Sequence, residues 1–289
     1  MKYLPVFIWI LGLWGILTSC HTATHEEPLI SVTIEPQRYF VDRIAGGTFR
    51  VNCLTPSGQS PETYDPTPQQ LAEVSQSQAY LRIGHIGFEQ AWMKRLEEQN
   101  PHMHVFDRSA GRDLLENQEA QEADGHSHGA TDPHVWTSFH GARVIAANVR
   151  DALSTLAPAH QALYQQHYDS LLVDIAQTEA EVRHLLAPLQ GTAFIIYHPA
   201  LTYFAHEFGL TQLCIELDGK EPSPAQLATL IQTAREQQVQ VVFIQQEFDQ
   251  KNAELIAKET GCRLVRINPL AYDWKESMLQ LAKALTGNE

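Results

Sequence analysis

Histidines recur in this sequence directly after short apolar runs, and a polar group in that position can do chemistry. Ala79–Ile83 leads into Gly84-His85. His104–Phe106 leads, through a long polar stretch, to Asp132-Pro133-His134-Val135-Trp136. Ala193–Tyr197 ends directly on His198-Pro199. Arg50–Leu54 is followed by Ser60-Pro61-Glu62-Thr63-Tyr64-Asp65-Pro66-Thr67-Pro68, and Arg263–Ile267 by Asn268-Pro269. One such histidine alone is an ordinary hydrogen-bonded surface residue. His85, His134 and His198 with Glu62 make three imidazoles and a carboxylate, which is a metal-binding set. Neutral imidazole with carboxylate suits Zn²⁺, whereas Ca²⁺ and Mg²⁺ prefer all-oxygen shells. No GxGxxG or Walker-type loop points to phosphate, and His206-Glu207 lacks the second histidine of HExxH.

These groups need a scaffold that gathers strand ends. Leu29–Ile34, Arg50–Leu54, Ala79–Ile83 and His104–Phe106 read as one series of strands. Ala193–Tyr197, Gln212–Leu217, Val239–Ile244 and Arg263–Ile267 read as a second. Helical stretches around Val41–Ile44, Thr67–Gln76, Phe88–Glu98, Ala200–Phe208, Pro224–Gln237 and Lys251–Thr260 separate them. Such alternation builds parallel sheets covered by helices, and ligands then bind beyond the carboxyl ends of the strands. Thr67-Pro68-Gln69-Gln70 and Ser223-Pro224-Ala225-Gln226 each supply a hydroxyl cap, a first-turn proline and a Gln at the third helical position. Between the two series, Tyr164, Tyr168, Leu171, Leu172, Ile175, Val182, Leu185 and Leu186 recur at helical spacing. A helix over Pro158–Leu186 would be on the order of 40 Å long, enough to run the height of two lobes.

A formal charge of −14 argues against nucleic acid and an anionic membrane surface as partners, and suits a protein that attracts cations. Lys2, the apolar run Tyr3–Leu17 and the small residues that follow describe a secretory signal. Leu17-Thr18-Ser19-Cys20 resembles a bacterial lipobox, which implies cleavage before Cys20 and a lipid on its sulfur. Cys53, Cys214 and Cys262 show no CxxC spacing and lie in different strand-like runs; buried free thiols are expected. His140, His160, His167 and His184 fall in helical stretches, and Trp92, Trp136 and Trp274 read as packing residues.

Pro61–Pro68, Asp132–Trp136, Tyr197-His198-Pro199-Ala200 with Tyr203-Phe204, and Ala253–Gly261 resemble the zinc/manganese solute-binding proteins of ABC importers. The likeness runs from about Leu29 to the C-terminal helix. It implies an α/β fold of two parallel-sheet lobes bridged by one rigid helix, with the metal in the cleft. The expected division is a signal peptide over 1–19, a lipidated tether over 20–28, lobes over 29–157 and 188–289, and the bridging helix over 158–187. His134 and His198 are then ligands, and the histidine at 198 marks the zinc type ahead of the manganese type. The chain also departs from the pattern. The usual first-lobe histidine is replaced by Glu62, an acidic position near the last strand by Asn268, and a common Glu by Gln245. Either Glu62 ligates through its carboxylate or His85 supplies the missing imidazole. Asn268 is peripheral or replaced by water, and Asp273 is a further candidate.

Asp124-Gly125-His126-Ser127-His128 lies in the polar stretch before His134. It is either a weak accessory metal site at His126 and His128 or a flexible loop with two incidental histidines. The expected function is capture of Zn²⁺ in the cell envelope by a lipid-anchored, non-enzymatic monomer, with delivery to an ABC permease and its ATPase. An envelope zinc chaperone or adhesin would use the same site. A zinc hydrolase would need an open coordination position and a nearby general base, for which no motif is present.

Overall fold

The computed structural model describes residues 27–107, 115, 131–217 and 219–287. The Leu17–Cys20 lipobox and the His126 and His128 tract lie outside them. Two four-stranded sheets, wholly parallel, carry the chain. The first pairs β1 (Leu29–Val32), β2 (Arg50–Cys53), β3 (Ala79–Arg82) and β4 (His104–Asp107) in the order β2-β1-β3-β4. The second pairs β5 (Ala193–Ile196), β6 (Thr211–Cys214), β7 (Val241–Gln245) and β8 (Arg263–Ile267) in the order β6-β5-β7-β8. In both sheets the chain steps outward from its first strand, then crosses back to the other side of it. The reversal opens a crevice between the ends of β1 and β3, and another between β5 and β7.

The helices follow from local signals. α2 (Pro68–Val74) and α7 (Pro224–Glu236) open on the two capping boxes, with Gln70 N–H on Thr67 Oγ1 at 3.3 Å and Gln226 N–H on Ser223 Oγ at 3.4 Å. α1 (Glu35–Ala45) begins earlier than its apolar core suggests. Gln37 Oε1 accepts from the amides of Thr33 (2.9 Å) and Ile34 (3.1 Å), which ends β1 at Val32 and turns the chain into the helix. α3 (Gly87–Gln99), α6 (Thr202–Phe208), α8 (Lys251–Thr260) and α9 (Trp274–Thr286) complete the alternation. α4 (Phe139–Leu156) gives bounds to the helical stretch read at His140. Ser138 caps it, and its Gly141 is required by packing, since a Cβ there would sit 1.9 Å from the carbonyl oxygen of Val135.

α5 (Gln161–Leu186), flanked by 3-10 turns over Pro158–His160 and Ala187–Leu189, is the bridging helix. It buries Tyr164, Leu171, Ile175, Val182 and Leu186 on the face read from the sequence, with Tyr168, Leu172 and Leu185 packed at its margins. Asp174 pairs with Arg43 of α1 at 2.5 Å, while Glu179 accepts from Arg143 of α4 and pairs with Arg183, which also lies 4.0 Å from Glu207 of α6. The helix is thus tied to both halves. One core cluster runs from Ile30 and Phe40 of the first half through α5 to Phe194, Phe243 and Trp274 of the second, so the halves share buried apolar surface. A smaller cluster lies under α7 and α8. Among the described residues no helix is long and apolar enough to cross a membrane. Cys53, Cys214 and Cys262 form no disulfide and are half-buried; β6 and β8, which hold or adjoin the last two, are opposite edges of one sheet.

Candidate metal centre

The two lobes meet at two imidazoles. His134 and His198 face each other with ring centroids 5.1 Å apart, nearly edge to face. His134 arrives on a turn nailed down from several sides. Asp132 Oδ1 accepts from the His134 amide at 2.8 Å and lies 2.9 Å from its Nδ1. Tyr203 of α6 donates to the Asp132 carbonyl at 2.9 Å. Trp136, fully buried, donates from Nε1 to the carbonyl of Pro269 beyond β8, and Trp274 donates to the Trp136 carbonyl. Glu207, set aside above as part of an incomplete zinc-protease motif, accepts from the first amides of α4.

His198 follows β5. Gln245, at the end of β7, donates to its carbonyl at 2.7 Å and accepts from its amide at 3.3 Å. A glutamate at 245 could not donate, so the glutamine suits this chain. Phe248 stacks on the ring at 5.2 Å and 20°. Nδ1 lies 3.2 and 3.3 Å from the two oxygens of Glu216. Glu216 reaches this position because pairing continues past the end of β6: its amide bonds the carbonyl of Tyr197 at 3.0 Å. Each imidazole therefore has a carboxylate on Nδ1. That partnership fixes the tautomer and ring orientation and leaves Nε2 as the free donor, the usual support of a metal-bound histidine.

Glu62 joins them from the loop after β2. Its Oε2 accepts from the Gly87 amide at 2.9 Å, at the N-terminus of α3, where the helix dipole favours a negative group. Gly87 permits this approach, since a Cβ there would meet the Glu62 carbonyl oxygen at 2.3 Å. Glu62, His134, His198 and Glu247 line one inner chamber of about 20 Å³, which is room for a water-sized sphere and nothing larger. His85 lines only the adjoining outer chamber of about 590 Å³. Its left-handed backbone (φ 62°) follows a turn held by Glu89, which accepts from Ile83 and Gly84 at 2.8 Å.

Asn268 and Asp273 are occupied elsewhere. Asn268 accepts from the Leu270 amide and lines a separate groove beside α9, and Asp273 caps α9. Glu216 and Glu247 were not singled out from sequence. The signal for Glu247 was available, since it follows β7 at the same sheet edge that identified the histidines.

The electrostatics couple these groups. Burial opposes charge on His134, but Asp132, helped by Glu62 and Glu216, holds its pKa above the ordinary imidazole value. Burial likewise opposes charge on Asp132, while His134 and Thr202 hold its carboxyl below the usual range. Burial pushes Glu247 up, against its own amide and the two histidines. Among the described residues, no three His, Cys, Asp or Glu side chains are already gathered tightly enough to hold a metal. The donor chemistry nevertheless fits one: Glu62 Oε1 and His198 Nε2 are buried, have no hydrogen-bond partner and line the same small chamber.

The family described as ZnuA, zinc-uptake complex component A, periplasmic, matches residues 30–287 of this chain. The chain belongs to that family. The zinc-binding lipoprotein AdcA of Streptococcus pneumoniae is 25% identical over 265 residues, covering 88% of this chain and 52% of that protein, so this chain spans about half its length. The high-affinity zinc uptake system protein ZnuA of Bacillus subtilis is 28% identical over 251 residues, covering 83% of this chain and 78% of that one. A crystal structure of ZnuA shares the fold of this ZnuA-family chain with a TM-score of 0.84 and 35% identity, over 91% of this chain and 99% of that one.

Proposed function

We propose that this chain captures Zn²⁺ in the cell envelope, ahead of Mn²⁺, and passes it to an ABC permease driven by its ATPase. His134, His198 and Glu62 hold the ion, and His85, in the outer chamber, is the imidazole an arriving ion meets first. The observation that carries the reading is the pair of imidazoles from opposite lobes, each with Nδ1 on a carboxylate and the rings 5.1 Å apart. An ion between them ties the lobes together, and the inner chamber has the size of one small sphere. The chain is a carrier and not a catalyst. It acts as a monomer, held at the membrane by a lipid on Cys20, and the His126 and His128 tract is a weak accessory site.

The test is elemental analysis of purified protein, then titration with Zn²⁺ and Mn²⁺ against a competing chelator. One tightly bound zinc per chain is expected. His198→Ala and His134→Ala should each weaken it by about 100-fold or more, since one of three protein ligands carries about 4 of the roughly 12 kcal/mol of a protein zinc site. Unchanged affinity in both variants refutes the interlobe site.

A further inference from the structure

The inner chamber has a fourth donor that neither the chain's motifs nor its family likeness points to. Six buried side-chain nitrogen and oxygen atoms among the described residues lack a hydrogen-bond partner, and three of them line this one chamber: Glu62 Oε1, His198 Nε2 and Glu247 Oε2. The other three belong to Arg38, Thr55 and Arg82. A buried carboxylate oxygen without a partner costs free energy unless a cation or donor arrives to meet it. The Glu247 amide meets its own carboxylate, but among the described residues nothing meets Oε2.

Its position is also built. Gln245 pins the main chain of His198 and Phe248 stacks on the His198 ring, so Glu247 sits between two residues that grip that ligand. The Phe248 amide bonds the Gln245 carbonyl at 3.3 Å and closes the turn. β5 and β7, which deliver His198 and Glu247, flank the strand-order reversal of the second sheet. Asn268 and Asp273, the other candidates from this lobe, spend their side chains on local turns and caps.

We propose that Glu247 is the second-lobe carboxylate ligand of the bound ion, completing a set of two imidazoles and two carboxylates with His134, His198 and Glu62. This rests on the metal-capture reading above. Each lobe then contributes one imidazole and one carboxylate, and the two carboxylates balance the charge of a divalent ion inside a small chamber. The set is harder than three imidazoles and one carboxylate, so it discriminates less between Zn²⁺ and Mn²⁺.

The experiment compares the full chain with Glu247→Gln, Glu247→His and the exposed neighbour Gln246→Ala. Chelator competition gives zinc and manganese affinities, and the visible absorption of the Co²⁺-loaded protein reports the ligand set. Glu247→Gln should bind zinc about 100-fold more weakly, with an altered Co²⁺ spectrum and a metal-free melting temperature at or above that of the parent. Glu247→His should bind zinc and raise the ratio of zinc to manganese affinity. Gln246→Ala should match the parent. If Glu247→Gln keeps the parent's zinc affinity and Co²⁺ spectrum while His198→Ala loses tight binding, Glu247 is not a ligand and the capture reading survives. If the parent binds no tight metal, both fall together.

Discussion

His134 and His198 present the same group to the same chamber, yet the two lobes hold them differently. The first-lobe ring is buried, and Asp132 grips both its Nδ1 and its own amide at under 3 Å. The second-lobe ring is gripped by its backbone through Gln245 and by a stack on Phe248, while its carboxylate partner stands at 3.2 Å or more. One imidazole is oriented by a short buried charge, the other by packing. If both rings hold the ion as proposed, the ring fixed by packing is the one expected to adjust to it.

The largest test of that contrast is to neutralise the two supporting carboxylates separately. Asp132→Asn and Glu216→Gln should each weaken zinc binding, within the roughly 10- to 100-fold range of such supports. Asp132→Asn should lie at the upper end and Glu216→Gln at the lower, measured by chelator competition at one pH. The reverse order would mean that the packing of His198 is not what orients it.

A smaller effect appears in the pH dependence. His134 has its pKa raised above the ordinary imidazole value by Asp132, against the effect of burial. Zinc needs Nε2 without its proton, so protons begin to compete above pH ~6.5, the usual imidazole value. Affinity should fall as pH drops through that window, by about tenfold per unit for each competing proton. Asp132→Asn removes the main cause of the shift, so its onset should move to lower pH even though its affinity is weaker throughout. The sign for stability is opposite. A raised imidazole pKa stabilises the metal-free fold below about pH 6.5, and that contribution is lost as pH rises through the folded value. Metal-free thermal melts against pH should show it.

Much of this arrangement was legible because the chain marks its own strand ends. Capping boxes at Thr67 and Ser223 and the apolar stripe of α5 gave the alternation and the bridge. The histidines stood out because each follows a strand or precedes a helix directly. Glu216 was hidden, since only the side-by-side pairing of β5 and β6 sets it opposite Tyr197 and next to His198. Glu247 follows β7 at the same sheet edge and went unread because the search there followed the histidines. Asn268 and Asp273 stayed open in the sequence because a carboxylate or amide near a strand end is as readily a helix cap or turn former as a ligand, and here local hydrogen bonds engage both. The bounds of the helix at His140 were not legible, since Gly141 weakens a helical pattern but is needed where α4 presses on the His134 turn.

The smallest expected difference lies between the two capping boxes, which are alike in sequence and unlike in duty. Gln226 accepts from Ser223 N–H and Oγ and does no more than open α7. Gln70 accepts from Thr67 N–H and Oγ1 in the same way, but it also accepts from Tyr64 Oη at 2.7 Å and donates to the Leu54 carbonyl at 2.8 Å. Leu54 and Tyr64 bracket the segment that carries Glu62. Gln70 therefore ties the start of α2 to both ends of that segment. Gln70→Ala and Gln226→Ala should each cost about 1 kcal/mol of fold stability, the usual scale of a lost cap. Only Gln70→Ala should also weaken zinc, by about fivefold, because a freer loop must be ordered when the ion binds. Chemical denaturation of the metal-free proteins measures the first effect and chelator competition the second. Equal zinc affinities in the two variants would show that the Gly87 amide and the α3 N-terminus hold Glu62 without help from its loop.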